Sequence, residues 1–286
     1  MTGLRIATRR SALAMAQARR VGEMLEGSDP DLEIRLVEVE TSGDRNRTGS
    51  IVELTEVGAF VRAVQRAVLD GEADLAVHSL KDLPVANVEG LEIVAFPERH
   101  APWDVMVGTA LPDLPTGARV GTGSPRRAAQ LLELRPDLKP TELRGNVETR
   151  LRRVRSGEVD AAVLAEAGLA RLGMGGAIVQ RFPVDEMVPA PGQAVLAVEA
   201  RPDTRAAAVA AAIDDAELRP LVTAERLLLA ETGAGCRSAL GALATGTEAG
   251  IRLECFVADE RGARRCRVEA DSPDDVAKAA RTELRL

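Results

Sequence analysis

Residues 71–84 read Gly71-Glu72-Ala73-Asp74-Leu75-Ala76-Val77-His78-Ser79-Leu80-Lys81-Asp82-Leu83-Pro84. Residues 74–78 form a short, mostly apolar run of the kind expected for a strand covered on both faces. The run passes without a linker into Ser79, Lys81 and Asp82, so three polar groups stand where a strand ends. Ligands of open α/β sheets bind at such ends. Lys81 is conspicuous because the remaining lysines are Lys139 and Lys278, and the other cationic side chains are Arg. Read alone, the stretch also fits a surface turn closed by Pro84 with an ordinary Lys-Asp pair. Its pattern returns, however, as Gly157-Glu158-Val159-Asp160 followed by the apolar residues 161–165.

The surroundings of the two copies also correspond. Residues 4–8 read as a strand, and Ser11 is placed to cap a helix whose apolar face is Ala14, Ala18, Val21 and Leu25. Arg9 and Arg10 therefore lie between a strand end and a helix start, where free backbone N–H groups favour anions. Residues 34–39 form a second strand, and 41–56 a polar segment read as a mobile loop. Phe60, Val64, Ala67 and Val68 mark a helix ended by Asp70-Gly71. In the second half, residues 119–121 are a strand, Ser124 an N-cap and Pro125 the first helical residue. Arg126 and Arg127 then fall in the first turn, where cations oppose the helix dipole, which points to ligand contact rather than helix stabilisation. Arg144-Gly145-Asn146 precedes a helix bearing Arg150.

These paired features predict two related α/β domains facing a cleft, a fold similar to that of two-domain solute-binding proteins. Residues 195–198 are a strand expected to return to the first domain, giving two crossings and a hinge. From Glu217 onward the pattern changes to a helix near 221–230, a Gly-rich loop, three strands near 238–245, 251–258 and 264–270, and a final helix near 273–283. This predicts a smaller C-terminal α+β domain with an antiparallel three-stranded sheet. The expected division is 1–97 with 192–214, 98–191, and 215–286.

Composition narrows the function classes. The chain has 286 residues, 45% of them hydrophobic, and a formal net charge of -7, which opposes general nucleic-acid binding. No apolar run approaches the ~20 residues of a membrane span, so a cytoplasmic protein with no membrane partner is expected. Cys236, Cys255 and Cys266 are an odd set without Cys-x-x-Cys spacing, which argues against a disulfide framework and a zinc site. Cys255 and Cys266 alternate with apolar neighbours as core residues do. Cys236 instead lies in a Gly-rich loop beside Arg237, whose charge favours the thiolate.

Taken together, Arg5-Ile6-Ala7-Thr8-Arg9-Arg10-Ser11, residues 76–84, Gly121-Thr122-Gly123-Ser124-Pro125-Arg126-Arg127, Leu143-Arg144-Gly145-Asn146-Val147-Glu148-Thr149-Arg150, residues 164–173, 189–193, Thr223-Ala224-Glu225-Arg226 and Gly235-Cys236-Arg237 resemble the porphobilinogen deaminase (hydroxymethylbilane synthase) family. The resemblance covers essentially the whole chain. It implies a transferase that joins four porphobilinogen molecules into a linear tetrapyrrole with release of ammonia. It also implies a dipyrromethane cofactor held through a thioether at Cys236. Asp82 matches the family's catalytic aspartate. Lys81, Asp82, Ser124, Arg126, Arg127, Arg144 and Gly145 match cofactor contacts, and Arg9, Ser11, Thr122, Arg144, Arg150, Arg171 and Gln193 match substrate contacts. No metal is implied, and a monomer is expected. The chain departs from the family pattern in the acidic loop Glu53-Leu54-Thr55-Glu56-Val57-Gly58-Ala59, in Ala101-Pro102-Trp103-Asp104, and in Ala194-Val195 after Gln193. The alternatives are a degenerate paralogue and a non-catalytic module of the same fold that binds an organic anion.

Overall fold

A computed structural model describes residues 3–39, 56–232 and 239–286, with the side chains of 56–59 excepted. The mobile loop expected over 41–56 and the Cys236 loop therefore lie outside the described residues, apart from Glu56 at a helix start. In chain order the elements are β1 (Gly3–Arg9), α1 (Ala12–Ser28), β2 (Glu33–Val39), α2 (Glu56–Leu69), β3 (Leu75–Ser79) and β4 (Glu92–Ala95). There follow β5 (Asp104–Gly108), β6 (Arg119–Thr122), α3 (Pro125–Leu134), β7 (Lys139–Glu142), α4 (Val147–Arg155), β8 (Ala161–Ala165), α5 (Glu166–Arg171) and β9 (Ile178–Arg181). The last elements are β10 (Leu196–Ala200), α6 (Arg205–Ala211), α7 (Leu218–Glu231), β11 (Ala239–Thr247), β12 (Gly250–Asp259), β13 (Gly262–Ala270) and α8 (Pro273–Leu284).

Two compact units result, Met1–Arg99 with Val195–Arg219, and His100–Ala194 with Pro220–Leu286. The first contains a five-stranded sheet in the order β2-β1-β3-β10-β4, and the second a sheet in the order β7-β6-β8-β5-β9. The two orders correspond strand for strand. In each sheet the second strand is parallel to its neighbours on both sides, and the fourth is antiparallel to its own. The antiparallel members, β10 and β5, each begin shortly after the chain enters their unit. β3, β8 and β10 are mostly apolar and almost wholly buried because both sheet faces are covered. In the first unit, α1 and α6 pack on one face through Ala18, Val21, Leu25 and Ala206, and α2 covers the other through Val64 and Val68.

The repeated Gly-Glu-x-Asp sequence has one physical role in both units. Gly71 and Gly157 adopt φ values of 75° and 73°, the left-handed conformation that ends a helix without a Cβ penalty. Three residues on, Asp74 accepts the backbone N–H of Arg5 at 2.8 Å and returns its own N–H to the Arg5 carbonyl at 2.9 Å. Asp160 does the same with Arg119, at 2.7 and 2.9 Å. The aspartate thus fixes where β3 starts against β1 and where β8 starts against β6. Burial alone pushes the Asp74 carboxyl up, but the hydrogen bonds and charge of Arg5 outweigh it and hold the group below its ordinary value. Its contribution is accordingly whole above about pH 4 and lost as pH falls through the lower folded value. Asp74→Ala should cost about 1–2 kcal/mol at pH 7 in a urea titration, and less at pH 3.

The second unit also holds the C-terminal antiparallel sheet β11-β12-β13, as expected from residue 238 onward. α8 covers one face through Val276, Ala277, Ala280 and Leu284.

Candidate functional site

Because β1 and β3 are adjacent and parallel, their C-terminal ends open at one sheet edge. Arg9 ends β1, and beyond it stands the α1 N-cap Ser11, whose Oγ accepts the Ala14 N–H at 3.3 Å. The Arg9 guanidinium lies 3.7 Å from the centroid of the Phe60 ring, held by its quadrupole. Beyond β3 the chain makes a single 3-10 turn, Leu80–Asp82. This turn is anchored from below: Leu80 is buried and donates its N–H to Val195 O at 3.0 Å, and Gln17 Nε2 donates to Ser79 Oγ at 2.7 Å. Lys81 is half-buried. Asp82 is exposed, and its carboxylate has neither a hydrogen bond nor an ion pair among the described residues.

Beneath this edge lies a buried polar group that sequence reading missed. His78 Nε2 on β3 is 2.9 Å from Glu199 Oε2 on β10, and Gln65 Nε2 on α2 reaches both Glu199 oxygens at 3.1 and 3.0 Å. It ties the turn-bearing strand to its antiparallel neighbour and to α2.

A second edge, in the second unit, collects Thr122, Ser124, Arg144, Gly145 and Arg150. β6 and β7 are parallel with Thr122 opposite Glu142, so the loops that follow emerge side by side. The Ser124 N–H donates to Thr122 Oγ1 at 3.2 Å, while Ser124 Oγ accepts the Arg127 N–H at 3.4 Å as the α3 cap. Gly145 has φ of 102°, and a Cβ there would meet Thr149 Cγ2 at 2.9 Å, so this turn requires glycine. Arg150 Nε donates to Gly145 O at 2.8 Å, and Arg144 pairs with Glu142 at 2.6 Å. Arg171, at the end of α5, donates to Ala194 O at 2.7 Å.

The first-turn arginines oppose the α3 dipole, as expected, and both have partners within the chain. Arg126 Nη1 donates to Asp104 Oδ2 at 2.6 Å and to Val188 O at 2.6 Å. Arg127 Nε donates to Asp104 Oδ1 at 2.8 Å and its Nη1 to Val163 O at 2.9 Å. Gln193 Nε2 adds bonds to Asp104 Oδ1 at 3.1 Å and to Pro102 O at 2.7 Å. Asp104 is fully buried; desolvation pushes its carboxyl up, but the two guanidiniums and Gln193 together hold it far below the carboxylate range. The visible signal was an acid opening an otherwise apolar strand, Asp104-Val105-Met106-Val107. Arg126 Nε is buried without an acceptor among the described residues.

A family model described as porphobilinogen deaminase, dipyromethane cofactor binding domain, matches residues 4–208. A porphobilinogen deaminase of Acidothermus cellulolyticus is 43% identical over 97% of this chain and 86% of that protein. One from Thermobifida fusca is 44% identical over 98% and 86%. Among solved structures, the methionine-binding protein MetQ aligns at 11% identity with a TM-score of 0.44, over 74% of this chain and 89% of that one. With the family model spanning most of the chain and relatives above 40% identity along nearly all of it, the chain belongs to the porphobilinogen deaminase family.

Proposed function

We propose that this protein is a transferase that joins four porphobilinogen molecules head to tail into hydroxymethylbilane, releasing one ammonia per unit, on a dipyrromethane primer bound by thioether to Cys236. The observation that carries the mechanism is the placement of Asp82, a carboxylate with no described partner on an anchored turn at a parallel-strand edge. When bound, the primer supplies the free pyrrole carbon to which the first unit is joined.

Loss of ammonia from the substrate's aminomethyl group develops positive charge that delocalises onto the pyrrole nitrogen. An Asp82 oxygen accepting that N–H stabilises the charge as it forms, because the carboxylate is already in place. The same oxygen is suited to take the proton that the coupled ring carbon must release. Each ring carries acetate and propionate groups, which Lys81, Arg9, Arg144, Arg150 and Arg171 are chemically suited to bind. Ser11 and Ser124 spend an oxygen lone pair on their helix caps, which leaves the O–H of each to donate to a carboxylate. Arg126, Arg127 and Gly145 are assigned to the primer and Thr122 and Gln193 to the substrate; Arg126, Arg127 and Gln193 are held in place by the buried Asp104.

The cofactor-bearing segment is assigned to a third domain, 215–286, and the working form to a monomer in the cytoplasm. No helix among the described residues is long and apolar enough to cross a membrane. Purified protein from cells that make porphobilinogen should exceed its sequence mass by two linked pyrrole units, and Cys236→Ser should lack the excess. Added porphobilinogen should release ammonia and produce heavier elongation species. Unmodified wild-type protein overturns the primer assignment; a mass excess with neither ammonia nor elongation would favour the degenerate paralogue.

A further inference from the structure

Cys255 and Cys266 stand directly opposite each other across the β12–β13 hairpin. Opposed residues of an antiparallel pair project to the same face with Cα atoms about 4.5–5.5 Å apart, inside the range a disulfide spans. This shared face carries Leu253 opposite Val268 and Ile251 opposite Ala270, and α8 packs over it. The two thiols are not equivalent. Cys255 is 1% exposed, whereas Cys266 is half-buried, with its Sγ 4.0 Å from Ala280 O of α8. Hydrogen bonding from Cys255 holds the Cys266 thiol below its ordinary value, and the same bond together with burial pushes Cys255 up. One thiol is thus the more acidic and the less buried, and the other stands opposite it.

We propose that Cys255 and Cys266 are a reversible thiol–disulfide site, closed by exchange with a low-molecular-weight disulfide of the glutathione class. The Cys266 thiolate attacks one sulfur of the small disulfide. The small S–S bond breaks, one small thiolate leaves, and a mixed disulfide forms at Cys266. Cys255 then attacks the Cys266 sulfur, yields its proton to the departing thiolate, and releases the second small thiol. Two protein thiols are oxidised, one small disulfide is reduced to two thiols, and β12 and β13 gain a covalent staple. This assignment agrees with the sequence-based exclusion of a permanent framework, because the bond opens again with excess small thiol. It does not depend on the function of Cys236.

The test uses the full-length protein. Wild type treated with oxidised glutathione, quenched with N-ethylmaleimide and weighed intact should lose two alkylable thiols and retain no glutathione. A tryptic digest should contain residues 253–261 joined to 266–267. Cys255→Ser should stop at a glutathione adduct on Cys266, and Cys266→Ser should give neither product. A stable glutathione adduct on wild type, an unchanged thiol count, or a bond to Cys236 would each overturn the proposal. The wild-type result decides it even if a variant fails to fold.

Discussion

Asp82→Asn is expected to keep its attached primer and lose kcat by a factor on the order of 10²–10³, the usual cost of removing one preorganised charge-stabilising group. Asparagine preserves the size of the side chain and one accepting oxygen, so a bound pyrrole N–H still finds a partner. It lacks the negative charge that would balance the developing cation and the basicity to take the ring proton. The fold should be indifferent to the change. The turn is held by the Leu80 N–H bond to Val195 O and by the Leu83 N–H bond to Leu80 O, neither of which uses the Asp82 carboxylate. Unfolding free energy should therefore stay within about 0.5 kcal/mol of wild type. Intact mass, urea titration and initial rates on one preparation separate the three quantities. Equal kcat in variant and wild type would remove Asp82 from the chemistry, and a large stability loss would show that its carboxylate serves the fold.

The repeat of the two units bears on this assignment. β8 matches β3 in its sheet, and the residue that follows it is Glu166, whose carboxylate receives the Arg181 guanidinium, with Nε at 2.7 Å. Counted from the matched Asp74 and Asp160, Glu166 corresponds to Leu80, and the counterpart of Asp82 is Gly168. The exposed acid on the 3-10 turn is therefore particular to the first unit and is not part of what the two units share.

Much of this was legible because the elements around the edges carry strong local signals. Ser11, Ser124 and Asn146 are followed by helices and cap them as their side chains allow. The buried strand β8 is an unbroken apolar run, and β3 and β10 open with apolar runs of three residues. What escaped was encoded elsewhere in the sheet. β7 is Lys139-Pro140-Thr141-Glu142, an edge strand whose proline and charges hide it from any apolar pattern. β4 and β9 are also edge strands of four residues, too short for alternation to show. The buried polar groups were illegible for another reason. Gln65 and Glu199 are 134 positions apart, and Asp104 and Gln193 are 89 apart, so no local spacing announces either contact. Only the return of the chain as β10 brings Glu199 to His78, and only α3 facing β5 brings Asp104 to Arg126 and Arg127.

Asp104→Asn should be the most destabilising single change at the candidate site, costing about 3–5 kcal/mol, because removing one member of a buried ion cluster leaves charges that cannot be hydrated. In wild type one carboxylate serves both guanidiniums, which also donate to the carbonyls of Val188 and Val163. An amide in its place retains the shape of the site but not the charge, and its NH2 confronts the guanidinium donors. The pH dependence separates this electrostatic cause from a packing defect. The carboxyl is far more acidic folded than unfolded, so its stabilisation is complete above about pH 4, the unfolded value, and declines as pH falls toward the folded one. The stability gap between wild type and Asp104→Asn, read from urea titrations, should therefore be constant from pH 7 to pH 5 and narrower at pH 3. A gap of the same size at all three would mean that shape, and not charge, sets the role of Asp104. No gap at all would mean that the two arginines need no counter-charge from Asp104.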